Sequence, residues 1–376
     1  MNGSVKGSRR NWSYVFDLPS TDGKRRQAKK RGFRTKSEAE EAMRAAIHAA
    51  QGGTRVVPTN VTVARFLNET WLPTVQHRIR PGTFDSYQKI VRLRIIPEIG
   101  GMSLQALDEP TVERWVAGLS ASGLSAKTVR NGHGVLSIAL RDALRLRLVS
   151  RNAATAAQLP KVPKQKPRAW STDEVRRFLN HVRSDRWAPL WRLLATTGMR
   201  RGEALGLRWH DVDLEEGVLT VANTRTVVTG RIVSGPPKTT SAGRTIALDA
   251  VTATALRAWR KQQAAERLMM GADWPNTDIV FTWQDGRPIY PQGVTKWFRA
   301  IAAEADLPQI GVHGLRHTAA TWMISSGVSP KLVAERLGHS NVSTTLSLYS
   351  HVLPGHDRAA AEALAAAFDS QSVTNP

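Results

Sequence analysis

A proline-rich stretch at residues 156–170 divides the sequence into parts that must fold separately. Its sequence, AAQLPKVPKQKPRAW, holds three prolines and four basic residues. This composition is typical of a linker rather than of a packed element. A chain of 376 residues is long enough for two or three domains. We therefore predict separate domains on the two sides of this linker.

Residues 61–155 carry apolar side chains at helical spacing. Proline and glycine interrupt this pattern at residues 80–82, 100–101 and 123–125. Between the interruptions, the periodicity predicts helices over residues 63–72, 83–95, 110–119 and 126–148. The region is thus expected to form a compact all-α domain.

Residues 1–55 are strongly basic, with 13 Lys and Arg against 5 Asp and Glu. Trp12, Tyr14 and Phe16 alternate, which predicts a strand with one aromatic face. A second, very basic strand is predicted over residues 24–31, and Ser37 with Glu40 predicts the cap of a following helix. These elements indicate a small β-sheet-plus-helix domain. Its candidate DNA contacts are Lys24, Arg25, Arg26, Lys29, Lys30 and Arg31.

Residues 171–355 contain both helical and strand periodicities. Ser171 and Glu174 predict a capped helix start, and residues 218–248 are rich in strand-forming residues broken by glycine. Helices are predicted at 172–183, 187–196, 200–207, 250–266 and 291–305, with three short ones between residues 313 and 351 and an Ala-rich one at 356–368. The fold class is therefore multidomain α+β, in which a small β-sheet-plus-helix domain and an all-α domain precede a mixed, mainly α-helical domain with a small antiparallel sheet.

The charge balance predicts a polyanionic partner. The chain has 53 Lys and Arg against 31 Asp and Glu, a net charge of +22, and each cation set against a phosphate releases condensed counterions. There is no run of about 18 apolar residues and no basic-then-apolar leader, so a soluble, intracellular chain is expected. The absence of cysteine excludes disulfides, thiolate catalysis and Cys-ligated zinc.

Four segments of the third region carry polar residues that suit phosphodiester chemistry. The segments are residues 197–203, 237–239, 313–317 and 337–340, the last followed by Tyr349. Each has a structural explanation when taken alone; Gly338, for example, fits the C-cap of a helix over residues 331–337. Taken together, they supply the groups that breaking and rejoining a phosphodiester requires. The guanidiniums of Arg200 and Arg316 can grip the two non-bridging oxygens of a transition state that gains negative charge.

The remaining candidates supply a nucleophile and proton transfer. A tyrosine phenol such as that of Tyr349 can form a covalent link to phosphorus and be expelled again. Histidines such as His313 and His339 ordinarily titrate near neutrality. A lysine such as Lys238 can protonate the departing deoxyribose oxygen, which is a poor leaving group. This set requires no metal and no other cofactor.

The spacing of these residues resembles the tyrosine recombinases of the phage integrase family. Thr197, Gly198, Arg200 and Glu203 match the family's T-G-x-R-x-x-E motif. Four more elements match in order: Lys238 before the R-T-x-x-L strand at 244–248, H-x-x-R-H at 313–317, L-G-H at 337–339, and the nucleophile segment ending in Tyr349. The resemblance implies that Arg200, Lys238, His313, Arg316, His339 and Tyr349 are catalytic. It gives Glu203 and His317 supporting roles, with Glu203 buttressing the arginine-bearing helix.

The resemblance extends to the domains. It implies an arm-type DNA-binding domain (1–55), a helical core-binding domain (61–155), a linker (156–170), a catalytic domain (171–355) and a tail helix for exchange between protomers (356–376). Such an integrase cuts each strand through a 3′-phosphotyrosyl intermediate in a bacterial cytoplasm, associated with the nucleoid. Its expected partners are double-stranded DNA with core and arm sites, three further copies in a homotetramer, a host DNA-bending protein and an excision factor.

Two other classes of function stay open at the level of sequence. A type IB topoisomerase shares the arginines, a histidine, the lysine and the tyrosine, but acts as a monomer on one duplex. The arm-like domain and the segment after Tyr349 favour the recombinase. A non-enzymatic DNA-binding protein could retain the fold, but it is expected to have lost at least one residue of the set.

Overall fold

The computed structural model describes residues 3–8, 11–17, 27–51, 59–163, 168–237 and 243–349, together with residues 362 and 365. The chain divides into two compact units, Met1–Pro163 and Lys164–Pro376. This division falls inside the predicted linker. Lys24, Arg25, Arg26 and Lys238 lie outside the described residues, as does nearly all of the predicted tail helix.

The first unit begins with an antiparallel sheet in the order β1 (Gly3–Ser8), β2 (Asn11–Asp17) and β3 (Gln27–Phe33). Tyr14, Phe16 and Phe33 are buried against helix α1 (Lys36–Gln51). The aromatic face predicted for β2 is thus present. The residue pattern did not predict β1, because its sequence GSVKGS has no apolar alternation; its place is set by backbone pairing with β2.

The predicted cap of α1 is wrong by two residues. The backbone N–H of Glu38 donates to Thr35 Oγ1 at 3.1 Å, and the Glu38 carboxylate accepts from the backbone N–H of Arg34 at 3.0 Å. Ser37 therefore lies inside the helix. The sequence TKSEAE fits the S/T-x-x-E pattern twice, and the pair nearer the end of β3 makes the cap.

The rest of the first unit is helical, as predicted. Asp108 and Ser125 cap two of its helices by accepting from the backbone N–H groups of Thr111 and Thr128. Ala157 and Leu159, placed in the linker by composition, pack against this helical core. Two of its helical stretches include π-helical turns, so the elements are α2 (Val63–Arg65), a π turn (Phe66–Trp71), α3 (Leu72–Gln76), α4 (Pro81–Ile90), a π turn (Val91–Ile95), α5 (Ile96–Ile99), α6 (Glu109–Ala121) and α7 (Ala126–Arg145).

The second unit contains helices around small antiparallel sheets. One sheet is formed by β4 (Val212–Asp213), β5 (Val218–Thr220) and β8 (Thr245–Ala247), and a hairpin is formed by β6 (Thr224–Val228) and β7 (Arg231–Gly235). The two residues that connect these strands, Thr229 and Gly230, both have positive φ (49° and 77°), which is the conformation of a type I′ hairpin turn. The elements are α8 (Thr172–His181), α9 (Ala188–Thr197), α10 (Arg201–Gly206), β4 (Val212–Asp213), β5 (Val218–Thr220), β6 (Thr224–Val228), β7 (Arg231–Gly235), β8 (Thr245–Ala247), α11 (Ala250–Met270), α12 (Pro291–Glu304), α13 (Val312–Ser325), α14 (Pro330–Leu337) and α15 (Val342–Tyr349).

Trp170 anchors the start of the second unit in its core. Composition placed it at the end of the linker, but it is buried in the core of the second unit. Its backbone N–H donates to Thr318 Oγ1 at 3.0 Å, and its indole N–H donates to the carbonyl of Pro308 at 2.8 Å. These bonds tie the start of the unit to α13 (Val312–Ser325) and to the segment that precedes it. The predicted capping box follows directly, since Ser171 and Glu174 each accept from the other's backbone N–H.

Candidate active site

Arg200 stands at the start of α10, where Glu203 holds it. The Glu203 carboxylate accepts from the Arg200 backbone N–H at 2.9 Å and from Arg200 Nη1 at 2.7 Å. Glu203 itself is 2% exposed, whereas 39% of the Arg200 side chain reaches solvent. A buried carboxylate thus orients a guanidinium that remains accessible to a ligand.

Arg316 lies on α13 and is only 2% exposed. Its guanidinium bridges two segments that are far apart in the sequence. Its Nη1 donates to the carbonyl of Gly198 at 2.9 Å and its Nη2 to the carbonyl of Leu337 at 2.5 Å. Gly198, at φ 66°, lets these segments meet, because a Cβ there would lie 2.5 Å from Leu337 Cδ2. Gly198 of the T-G-x-R motif therefore allows the segment that leads into Arg200 to pack closely against the end of α14.

The end of α14 completes one side of the site. Gly338 adopts the left-handed conformation (φ 69°) and ends the helix, as predicted. The Gly338 carbonyl accepts from Arg200 Nη2 at 3.2 Å. One residue later, His339 Nδ1 lies 2.8 Å from the hydroxyl of Thr345 on α15. The His339 ring is thus oriented by α15, and its Nε2 atom takes no part in that bond.

His313 and His317 lie on α13, one turn apart. Their ring centroids are 4.9 Å apart and the rings meet edge to face at 88°. Partial burial, followed by the charges of His317, Arg316 and Arg200, lowers the pKa of His313 to about 4, against a smaller opposing effect of Glu203. Burial, together with Arg316, lowers the pKa of His317 as well. Both rings are therefore neutral at physiological pH in the DNA-free protein.

Burial also lowers the pKa of His339 to about 4, with the charges of Arg316, Arg200, His317 and Arg244 acting in the same direction. Neutral imidazole can accept a proton, whereas imidazolium cannot. Since a phosphate placed between the arginines would offset their positive charge, binding of DNA is expected to raise the pKa of both His313 and His339.

Lowered histidine pKa values predict acid lability. The His339 pKa is about 4 in the folded protein and 6.5 in the unfolded chain. Between these values the unfolded chain binds more protons, so the free energy of unfolding falls as pH decreases. The His339→Gln variant lacks this titration and should lose less thermal stability than wild type between about pH 7.5 and about pH 5. Equal losses in Tm for the two proteins would contradict the lowered His339 pKa.

Arg244 is a site residue to which the sequence analysis gave no role. It precedes β8, has a side chain only 7% exposed, and donates through Nη2 to Glu203 Oε2 at 2.9 Å. Burial alone would raise the pKa of Glu203, but the hydrogen bond and charge of Arg244, together with the hydrogen bonds from Arg200, outweigh it and lower that pKa. Arg244 is the first residue of the R-T-x-x-L motif, close in sequence to the candidate catalytic residue Lys238. This position in the sequence was the available signal that Arg244 could bind another residue of the site. Thr345 was also missed.

The structure brings together most of the predicted set. Arg200 and Glu203 are hydrogen-bonded to each other, and Arg200 and Arg316 both donate to carbonyls at the end of α14, directly before His339. His313 and His317 lie within electrostatic reach of Arg316. Tyr349 is the last residue of α15, one helical turn beyond Thr345. Lys238 follows Pro237 outside the described residues. Among the described side chains, no group of three or more His, Asp or Glu could hold a metal ion.

The predicted DNA contacts of the first unit are described for Lys29, Lys30 and Arg31 only. All three are exposed on β3. The Lys30 ammonium lies 5.7 Å from the centre of the Phe33 ring. In the part of the chain that the structure describes, no helix is long and apolar enough to cross a bilayer.

Comparison with known proteins gives matches along most of the chain. Residues 169–356 match the phage integrase family, residues 4–50 an arm DNA-binding domain, and residues 62–120 the N-terminal SAM-like domain of phage integrases. A tyrosine recombinase XerC-like protein of Caldanaerobacter subterraneus subsp. tengcongensis is 29% identical over 351 residues, which cover 88% of this chain and 90% of the relative.

Solved structures share the fold. The Tn1549 transposon integrase in complex with a circular intermediate DNA matches with a TM-score of 0.69 at 21% identity, over 81% of this chain and 99% of that one. A lambda integrase tetramer bound to a Holliday junction matches with a TM-score of 0.57 at 17% identity, over 92% of this chain and 94% of that one.

Proposed function

The chain belongs to the phage integrase family, and from this premise we propose that it is a site-specific DNA recombinase that integrates a phage or another mobile element. The observation that carries the proposal is the convergence of Arg200 and Arg316 on the end of α14, next to neutral His339. Two fixed guanidiniums beside a proton acceptor suit an in-line attack on a phosphodiester.

In the proposed reaction, the phenol oxygen of Tyr349 attacks the scissile phosphorus. A bond forms between this oxygen and phosphorus while the bond from phosphorus to the 5′-oxygen breaks, which leaves a 3′-phosphotyrosine. The phenol proton passes to a neutral histidine, and the 5′-oxygen departs as a hydroxyl after taking a proton from Lys238. Rejoining reverses these steps with the 5′-hydroxyl of another strand, so the intermediate retains the energy of the broken bond.

Each described residue has a role in this scheme. Arg200 and Arg316 stabilise the charge that develops on the non-bridging oxygens, and Glu203 holds Arg200. We assign His339 as the proton acceptor, because the contact of its Nδ1 with Thr345 orients the ring and leaves Nε2 outside that bond. His313 acts beside it, and His317 supports His313 through the edge-to-face contact. We propose that no metal is needed, because these arginines supply the positive charge that the transition state requires.

The proposed substrate is double-stranded DNA with core and arm attachment sites. The arm domain match and the exposed basic residues of β3 favour a separate arm site. By likeness to the lambda integrase tetramer bound to a Holliday junction, we propose that four protomers act together on DNA. We also propose that the segment 356–376 is exchanged between neighbouring protomers. A host DNA-bending protein and an excision factor remain proposed partners. The site of action would be the bacterial cytoplasm, where both DNA molecules lie.

Covalent capture tests this function and identifies the attachment site in one experiment. The protein is incubated with sheared total DNA of its source organism, denatured and recovered, and the attached DNA is sequenced. We expect one dominant sequence, with the protein joined to a 3′ end and a direct repeat at the borders of an element. Attachment to unrelated sequences, with relaxation of supercoiled plasmid but no strand exchange between duplexes, would instead indicate a topoisomerase.

Lys238 is predicted to be the general acid. A substrate with sulfur in place of the scissile 5′-bridging oxygen releases a thiolate, which leaves without protonation. Lys238→Ala should therefore cleave ordinary DNA roughly 100-fold or more slowly than wild type, but cleave the sulfur-bridged DNA at close to the wild-type rate. Single-turnover cleavage of the two substrates measures this difference. Equal defects on both would assign Lys238 to DNA positioning, with His313 or His339 as the proton donor.

A further inference from the structure

Arg244 joins two parts of the site that are far apart in sequence. Through Nη2 it reaches Glu203, the residue that holds Arg200, and through Nε it donates to the carbonyl of Arg336 at 2.6 Å. Its side chain is 7% exposed, so these bonds are shielded from water. A shielded guanidinium with two partners in fixed directions orients both of them.

The carbonyl that Arg244 binds belongs to a series. Three successive carbonyls at the end of α14 accept from three different arginines: that of Arg336 from Arg244, that of Leu337 from Arg316, and that of Gly338 from Arg200. The last carbonyls of a helix have no partner within the helix and carry partial negative charge, which favours cations there. The end of α14 thus serves as a common template for all three guanidiniums.

Arg244 differs from Arg200 in its accessibility. Arg200 is part-exposed and able to contact a phosphate, whereas the side chain of Arg244 is buried and its described contacts are with protein groups. Those groups determine where Arg200 and His339 lie, because Glu203 anchors the first and the end of α14 leads directly into the second. Loss of Arg244 would leave Glu203 paired with Arg200 alone, so that Arg200 would be drawn towards the carboxylate and away from a bound phosphate.

We propose that Arg244 is a positioning residue for the strand-cleavage reaction, which sets the distance between Arg200 and the segment that carries His339. This proposal rests on the proposed function. It assigns Arg244 to the rate of cleavage at bound DNA rather than to DNA affinity, since its described contacts are with protein groups. A shift of about 1 Å in a catalytic group can lower a rate by about 100-fold.

The test uses the full-length protein and DNA that contains the captured attachment site. Arg244→Ala should cleave saturating DNA about 100-fold more slowly than wild type, with a Kd for DNA within about threefold of the wild-type value. Guanidinium ion added at millimolar concentration should restore much of the rate by occupying the vacated site. The same concentration of sodium chloride should not, and it controls for the salt dependence of DNA binding.

Two further variants separate positioning from stability. Arg244→Lys retains the charge in a smaller perturbation, but its ammonium cannot reproduce the fork that spans Glu203 and the Arg336 carbonyl, so it should fold and still cleave slowly. Arg186→Ala is the matched control. Arg186 forms another buried pair with a carboxylate, donating through Nη2 to Glu266 Oε2 at 2.8 Å, and it stacks on Trp187 and Trp259 rather than on site residues.

The proposal is supported if Arg186→Ala has a lowered Tm but cleaves at close to the wild-type rate, while Arg244→Ala cleaves slowly and is rescued by guanidinium. Cleavage at the wild-type rate by folded Arg244→Lys overturns it. So does a loss of rate that parallels the loss of Tm equally in the Arg186 and Arg244 variants, because that result makes Arg244 purely structural. Absence of a covalent adduct with wild-type protein would instead reject the proposed function itself.

Discussion

Replacing Tyr349 with phenylalanine is expected to eliminate the covalent protein–DNA adduct completely. Phenylalanine retains the ring and removes only the oxygen that would attack phosphorus, so no other group at this position can form the bond. Specific DNA binding should persist nearly unchanged, because phosphate contacts elsewhere on the protein dominate affinity. The expected phenotype is therefore a protein that binds its site and never cuts it.

The measurement is a denaturing gel of a suicide substrate nicked close to the cleavage position, so that the released fragment diffuses away and the adduct accumulates. Tyr290→Phe is the matched control, since it removes a tyrosine hydroxyl from the same unit, one that donates to the Gly230 carbonyl at 2.7 Å. That variant should form the adduct as wild type does. An adduct that persists in Tyr349→Phe would exclude Tyr349 as the nucleophile.

The second large effect is expected at the two arginines. Arg316→Lys keeps a positive charge but cannot donate to the carbonyls of Gly198 and Leu337 while also facing a phosphate. We expect cleavage to fall by about 100- to 1000-fold, the usual effect of losing one donor to a developing oxyanion. Arg200→Lys should behave alike. DNA affinity should change far less, because one phosphate contact among many contributes little to it.

Single-turnover cleavage rates and Kd values from the same preparations decide between the two roles of these arginines. Arg192→Lys provides a control, because Arg192 is a partly exposed arginine of the same unit that pairs with Asp249. Its variant should retain cleavage and binding alike. If Arg316→Lys or Arg200→Lys loses cleavage only in proportion to binding, that arginine anchors DNA and does not stabilise the transition state.

Much of the local structure followed from the sequence, for reasons that operate over a few residues. The capping box of Ser171 and Glu174 and the left-handed Gly338 depend on neighbouring backbone groups alone, and both are present. The alternating aromatics of β2 likewise reported a buried face. Where two local signals competed, as at Thr35 and Ser37, the choice depended on the end of the preceding strand, and the sequence pattern selected the wrong pair.

Only the tertiary structure determined which polar residues hydrogen-bond to one another. Arg244, Glu203 and the last carbonyls of α14 lie on three segments between residues 203 and 338, and no periodicity links them. The same is true of Trp170, which composition assigned to a linker and packing placed in a core. The sequence by itself determined the chemical groups, their order and most helix boundaries, because side-chain identity and short-range hydrogen bonding suffice for these. The tertiary structure determined the neutral state of His313 and His339 and the role open to Arg244, because burial and charge separation depend on which segments pack together.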